Sequence, residues 1–339
     1  VKPGDIVEVE VEGLGKLSNK IVHGSTPIRD DVGAQPSSSE EVISTAMGGD
    51  WEFRGHRAAG GQGAKFYKSS LGFNAIIFCS GRDEIMGGNA HTNFKITQTK
   101  GNEVLMLTDL TNTFQDSIRV FPNQNSHSRG RQTDGVANWS VFTTGTPNAT
   151  NIGAMQEYAT TPLFSQLGGY NTGPFNLTLS SPDPGVSIYY TTNGDEPNNN
   201  STLYAGSFSV GPTTTVVKAV AYSSDPTIPP SFIDYHTFFI NDVHTIPILS
   251  VSGNSGAGGL EDLLDGGWGS TGLEPEGTIE WFDKNGVLLD KGTGEFNKHG
   301  NDSWAYDQRG FDYVMRDQFG YNYALQDQVF ATKSRDKFQ

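Results

Sequence analysis

Residues 177–222 read LTLSSPDPGVSIYYTTNGDEPNNNSTLYAGSFSVGPTTTVVKAVAY. At the start of this stretch Leu177 and Leu179 alternate with polar residues, which is the period of a strand with one buried face. The sequences PDPG (182–185) and Asn193-Gly194 indicate turns, because proline presets φ and glycine accepts a positive φ. The segments between these turns are rich in β-branched and aromatic residues, which suit a pleated, half-buried surface. The stretch therefore predicts a small antiparallel β-sandwich, and none of its residues suggests catalysis.

The same stretch resembles the small β-sandwich at the C-terminus of chitobiases, which recurs as a spacer in secreted bacterial proteins. The resemblance extends over residues 173–240. It is carried by residues 188–194 (IYYTTNG), 196–197 (EP), 201–204 (STLY) and 217–221 (VKAVA). Because such modules usually lie between other domains, the resemblance implies further domains on both sides.

Bulk properties limit the class of protein. The chain has 339 residues, enough for two or three domains, and a net charge of −15. An acidic chain repels phosphate backbones, so we expect no nucleic-acid partner. No apolar run reaches the roughly 18 residues of a membrane span. With 42 glycines and abundant Asn, Thr and Ser, the composition favours many short strands and turns over helices.

The chain contains a single cysteine, Cys79, so no intrachain disulfide is expected. Cys79 follows the apolar residues 75–78, and we expect a buried strand thiol, with a reactive thiol as the alternative. The sequence begins at Val1 without Met or a signal peptide, which indicates a processed chain or a fragment.

Residues 49–152 are predicted to form another β-sandwich, with strand patterns at 74–78, 94–97, 103–109 and 117–121. This region resembles the lamin-tail domain, an immunoglobulin-like sandwich of nuclear lamins and bacterial surface proteins. The resemblance is carried by residues 78–83 (FCSGRD), 91–95 (HTNFK), 101–104 (GNEV), 128–131 (SRGR), 134–135 (DG), Trp139 and 146–149 (TPNA). The first half is atypical. Residues 53–65 lack strand periodicity, and we expect a flexible loop there or a frame error within 53–73.

The N-terminal residues 1–23 predict a β-hairpin. Valines and Ile6 alternate with glutamates over 6–12, and glycines 13 and 15 bracket a turn. The segment resembles the C-terminal end of fumarylacetoacetate hydrolase-family enzymes through KPGD (2–5), EGLG (12–15) and the final LSNKIV (17–22). The metal-binding carboxylates of that family lie upstream of this end, so none is expected here. Residues 24–48 are predicted to be a linker.

Residues 241–339 are expected to begin a mixed α+β domain, with strands at 245–251, 277–283 and 311–316 and a short helix at 260–264. The region resembles the opening of the CotH family of atypical protein kinases. The residues that carry it are 246–251 (IPILSV), 280–283 (EWFD), Gly286, 299–303 (HGNDS), 311–312 (FD), 319–320 (FG) and 334–339 (SRDKFQ). The family domain is far longer, so the resemblance implies a truncated domain without its catalytic half.

The kinase resemblance supplies the candidate catalytic residues His299, Asn301, Asp302 and Ser303, since a Gly-Asn-x-Ser step precedes the nucleotide-holding residues of that family. Phosphoryl transfer needs carboxylates for Mg²⁺ and cations for phosphate. Further candidates of those types are Asp307, Asp312, Asp317, Lys298, Arg309 and Arg316. The alternative is that these residues are solvated positions on strands and turns. No cofactor is expected for this chain, although a complete domain would use ATP and Mg²⁺.

Asn193, Asp195 and Asn198 offer oxygen ligands that Ca²⁺ accepts. Clusters of this type also cap turns through side-chain hydrogen bonds, and that alternative stays open.

These observations predict a mainly β chain: two consecutive immunoglobulin-like, antiparallel β-sandwiches (49–152 and 153–240), followed by the start of an α+β domain. The favoured function is a non-catalytic segment of a secreted or cell-surface bacterial protein, with sandwiches that act as spacers or adhesion modules. Carbohydrate or other surface proteins are the expected partners. The alternatives are a truncated CotH-type phosphotransferase and a remnant of a fumarylacetoacetate hydrolase-family enzyme.

Overall fold

The computed structural model describes residues 120–134, 136–146, 149–265, 272–300 and 310–326, and the backbone of the strands that precede them. The fold is mainly β, as the sequence predicts. The chain divides into two compact units, Val1–Val120 and Phe121–Gln339.

The first unit contains strands β1 to β8. Their bounds are β1 Ile6–Val11, β2 Gly15–Lys20, β3 Trp51–His56, β4 Ile77–Phe78, β5 Ile85–Met86, β6 Asn89–His91, β7 Val104–Asp109 and β8 Phe114–Arg119. Strands β1 and β2 form the predicted hairpin, and two three-stranded sheets have the orders β3-β7-β8 and β4-β6-β5. The predicted linker at 24–48 and strand at 94–97 lie outside the described residues.

Strand β3 corrects the expectation of a flexible loop that begins at Phe53. It pairs antiparallel with β7 from Trp51 opposite Asp109 to His56 opposite Val104. The segment lacks strand periodicity, but β7 is rich in strong strand formers and supplies the backbone partners that periodicity alone does not reveal. Residues 57–76, which include the remainder of the atypical segment, lie outside the described part of the chain.

The second unit begins with the hairpin of β9 (Ser128–Arg131) and β10 (Trp139–Phe142). The strands of the sandwich follow: β11 Leu163–Phe164, β12 Gly169–Asn171, β13 Phe175–Leu177, β14 Leu179–Ser180, β15 Val186–Thr191, β16 Thr202–Leu203, β17 Phe208–Val210, β18 Thr215–Ser223 and β19 Asp234–Ile240. A five-stranded sheet has the order β12-β19-β18-β15-β16, and the pairs β11-β14 and β13-β17 form two small sheets. Only the β12-β19 pair of the large sheet is parallel.

The alternating direction of side chains along β18 and β19 explains the core of the sandwich. Val217, Ala219 and Phe238 are fully buried, and they meet Leu177 and Leu179 from the small sheets. The alternating Leu177 and Leu179 at the start of residues 177–222 therefore belong to this core, as the sequence predicts.

A four-stranded antiparallel sheet completes the second unit, in the order β20-β21-β22-β23. Its elements are β20 Ile248–Gly253, helix α1 Leu260–Asp265, β21 Glu276–Phe282, β22 Leu288–Lys298, β23 Phe311–Met315 and a 3-10 turn at Asp317–Phe319. On one face, α1 packs through Leu260 and Leu263 against Ile279, Phe296 and Met315. The predicted helix and three strands occur within a few residues of their expected positions, whereas β19 and β22 are not predicted.

Candidate functional site

Two sheets of the second unit face each other across a layer of buried and half-buried side chains, here called the seam. The seam consists of Tyr235, Thr237 and Phe239 from β19 and of Ser250, Glu280, Phe282, Lys291 and Thr293 from β20, β21 and β22. Successive side chains of a strand point to opposite faces, so the odd-numbered residues of β19 point into the seam while Phe238 and Ile240 point into the sandwich core. The five-stranded sheet is therefore covered on both faces.

The centre of the seam is a hydrogen-bonded chain of polar groups. Thr237 Oγ1 donates to Glu280 Oε2 at 2.5 Å, and it lies 2.8 Å from Ser250 Oγ. Because the single hydroxyl proton of Thr237 is directed at Glu280, Ser250 must be the donor to Thr237. Glu280 and His236 are each only 2 % exposed, and Glu280 Oε1 lies 3.5 Å from His236 Nδ1. Neither of these two atoms has a hydrogen-bond partner among the described residues.

Lys291 joins the two sheets beside this centre. Its ammonium pairs with the Asp234 carboxylate, donates to the Tyr235 carbonyl at 3.0 Å, and lies 4.7 Å from the centre of the Tyr235 ring. Thr293 Oγ1 donates to the Tyr235 hydroxyl at 3.2 Å. Burial, together with the neighbouring Tyr313, raises the pKa of Tyr235 well above its usual range, so the phenol is neutral. Strands β19 and β22 are thus joined at one tyrosine.

A second polar contact joins the 193–196 turn to the loop after β20. Lys218 is completely buried, and its ammonium lies 2.6 Å from Glu196 Oε1. The backbone N–H of Glu196 donates to Asn254 at 2.7 Å, and the N–H of Ser255 donates to Asp195 at 2.8 Å. Partial burial works to raise the pKa of Asp195, but the hydrogen bonds from Ser255 and Asn193 outweigh it, and the pKa is lowered. The carboxylate of Asp195 is therefore ionised, and its hydrogen bonds hold it at this edge of the seam.

At the opposite edge of the seam, strand β12 and the turn between β21 and β22 approach each other closely at glycine residues. A Cβ on Gly169 would lie only 2.3 Å from the Gly286 carbonyl oxygen, and a Cβ on Gly286 would lie 2.4 Å from the Tyr170 ring. The Tyr170 hydroxyl accepts from His244 N at 2.9 Å and lies 3.2 Å from His244 O. The close approach explains why the turn between β21 and β22 carries glycine at this position.

The candidate calcium ligands hold turns and the seam edge together. Asn193 Nδ2 donates to Asp195 at 2.6 Å, and Asp195 N donates back to Asn193 at 3.2 Å. Asn198 Oδ1 accepts from Asn200 N at 2.8 Å. In the described ranges, no three His, Cys, Asp or Glu side chains are grouped closely enough to hold a metal ion. Calcium binding at these residues stays a prediction.

Among the candidate catalytic residues, His299 is the one whose surroundings are described. Its Nδ1 lies 2.9 Å from Asp312 Oδ1, and both side chains are more than half exposed. Asn301, Asp302 and Ser303 lie outside the described residues, as do Asp307 and Arg309. Arg316 pairs instead with Glu295, at 2.9 Å. A catalytic role for these residues therefore also stays a prediction.

Sequence analysis missed the residues that form the seam. They are contributed by separate elements, and Thr237 and Glu280, for example, are 43 residues apart. One local signal was present, because Lys218 interrupts the apolar sequence VVKAVA of β18. A lysine in such a strand requires a partner if both faces are buried.

Comparison with known proteins supports the sandwich. Residues 166–228 match the family model described as the chitobiase/beta-hexosaminidase C-terminal domain. The matched residues run from just before β12 to just after β18, so β19 and the four-stranded sheet lie beyond them. A search of curated proteins finds no match to this chain. Across the part of the chain that the structure describes, no helix has the length and apolarity required to cross a membrane.

Proposed function

We propose that this chain is a non-catalytic segment of a secreted or cell-surface multidomain protein, in which the sandwich is a rigid connector. The observation that carries the proposal is the seam. A sandwich that serves as a loosely tethered spacer needs no buried polar contacts with its neighbour, whereas this one buries Glu280, Lys218 and Tyr235 against or beside the following sheet. Buried polar groups with several partners fix one arrangement of the elements that supply them.

The family match supports the spacer class, because it covers a β-sandwich in the middle of the chain. The neighbours are assigned by resemblance: a lamin-tail-like sandwich at 49–152, the start of a CotH-like domain at 241–339, and a hydrolase-like hairpin at 1–23. A secreted or surface location and carbohydrate or protein partners follow from the same resemblances. Binding to a glycan array would support an additional adhesive role.

A distance measurement tests the rigid connection. We would replace Cys79 with Ser and attach spin labels to Asn200→Cys in the sandwich and Lys284→Cys in the β21–β22 turn. Both positions are exposed. A labelled pair within the sandwich, Asn200→Cys with Thr213→Cys, gives the width of the distance distribution that the motion of the labels alone produces. We expect the distance distribution of the pair across the seam to be equally narrow. A broad or two-peaked distribution for that pair would contradict a rigid connector.

The alternative function is a truncated phosphotransferase of the CotH type. It is favoured by the resemblance of residues 241–339 and by the His299–Asp312 contact next to the candidate segment. Incubation of the chain with labelled ATP and Mg²⁺ separates the two functions. The connector predicts no incorporation above that of a heat-denatured sample, and incorporation that His299→Ala abolishes would favour the kinase.

A further inference from the structure

A cavity of about 310 Å³ opens beside the seam, between the five-stranded and four-stranded sheets. Tyr222 of β18, Phe232 of the segment before β19 and Phe319 of the 3-10 turn supply aromatic surface to its lining. Thr278 of β21 is buried, whereas Glu276, at the start of the same strand, is exposed. The volume lies at the lower end of the range for small-molecule pockets, roughly 300–1,000 Å³. It suits a ligand of the size of one six-membered ring.

Several donors of the lining are already used. The amide nitrogen of Gln124 donates to the carbonyls of Pro230 and Ser231, and Ser231 Oγ donates to the Phe232 carbonyl. The Thr293 hydroxyl donates to Tyr235. Acceptors remain, because no described residue donates to the carboxylate of Glu276. The cavity therefore offers hydrogen-bond acceptors to a ligand.

The charges around the cavity are unbalanced. Glu196 is paired with Lys218, and Glu295 is paired with Arg316. Glu276 forms no ion pair with a described residue, and the ammonium of Lys218, which also acts on it, is paired with Glu196. Desolvation of the carboxyl group, together with the negative charges of Glu196 and Glu295, outweighs Lys218 and raises the pKa of Glu276. A cation bound at the mouth would relieve this repulsion.

We propose that the cavity binds a small organic molecule that carries a primary ammonium group. The ammonium has only donors and one positive charge, which matches the free acceptors and the unpaired charge of Glu276. The remainder of the ligand would contact Tyr222, Phe232 and Phe319, whose ring faces also attract cations. A bare metal ion fits less well, because its preferred shell of six or more oxygen ligands is not provided by the described residues.

Cyclohexylamine and its neutral counterpart cyclohexanol test this proposal in a titration of the whole chain followed by ligand-observed NMR. We expect saturable binding of the amine and at least tenfold weaker binding of the alcohol. Glu276→Gln should weaken amine binding about tenfold, the loss expected for one nearby charge pair. Glu274→Gln removes an exposed carboxylate two positions earlier, outside the lining, and should leave the affinity unchanged. Absence of saturable amine binding, equal binding of the two compounds, or equal effects of the two variants would overturn the proposal.

Discussion

Lys218 shows how strongly single side chains of this unit depend on one another. Its side chain is 0 % exposed, whereas that of its partner Glu196 is 18 % exposed. A charge that loses its partner inside a protein costs far more than one that can reach water. The two ends of this ion pair should therefore respond differently to substitution.

We expect Glu196→Gln to lower the free energy of unfolding by about 3 kcal/mol, because it leaves a buried ammonium without a counter-charge. Lys218→Met should lower the free energy of unfolding by clearly less, since the remaining carboxylate can turn to solvent and the methionine fills the apolar site. Urea denaturation of both variants measures which of them loses more stability. A larger loss for Lys218→Met would contradict the description of the lysine as the dependent partner.

His127 makes stability depend on pH. The Tyr158 hydroxyl accepts from Gln124 N and lies 3.0 Å from His127 Nδ1, so the phenol donates to an unprotonated imidazole nitrogen. Burial lowers the pKa of His127 from its ordinary value of 6.5. The unfolded chain therefore binds the proton first, and stability that is complete above pH 6.5 is lost as the pH falls toward the folded pKa.

The urea midpoint at pH 7.5 and at pH 5.5, both chosen above the ordinary range of carboxyl groups at roughly pH 4, measures this dependence. We expect the native chain to lose more stability over this interval than His127→Gln, which can accept the same hydrogen bond but does not titrate. Identical losses in both proteins would show that another group is responsible.

Strands with one buried face could be predicted from the sequence, and strands with two buried faces could not. Strand β15 is largely half-buried, as its β-branched and aromatic residues predict, but β19 reads DYHTFFI and buries six of its seven residues, so it has no period of two. Strand β22 contains Gly292 and Gly294, which are poor strand formers; they occur here because Met315 and Val314 approach too closely for a Cβ. The seam was missed for the same reason, since five of its eight residues lie on these two strands.

The β21–β22 turn should be sensitive to a single methyl group. Gly286 and Gly258 have nearly equal positive φ angles of 75° and 78°, but a Cβ meets the Tyr170 ring at Gly286 and open space at Gly258. Alanine at either position causes about the same backbone strain, because the φ angles are nearly equal. Gly286→Ala should therefore lose about 1–3 kcal/mol more than Gly258→Ala, the usual cost of overpacking. Thermal unfolding compares the variants, and equal losses would show that the turn can move away from Tyr170.

At the scale of the whole molecule, the sequence predicts successive domains, and the family match stops before β19. The structure places the sandwich and the four-stranded sheet in one compact unit, Phe121–Gln339. The resemblances describe each segment by its own pattern, whereas the contacts of the seam depend on side chains from both segments. A rigid connector requires that these two sheets open together.

Native-state hydrogen exchange across a denaturant series measures this most directly, through the slowest backbone amides of β19 and β21. The connector predicts that both strands exchange with the same free energy of opening and the same dependence on denaturant, because each opens only when the whole unit unfolds. Exchange of β21 at a lower free energy, with a weaker dependence on denaturant, while β19 stays protected, would show that the two sheets unfold separately and would contradict the connector.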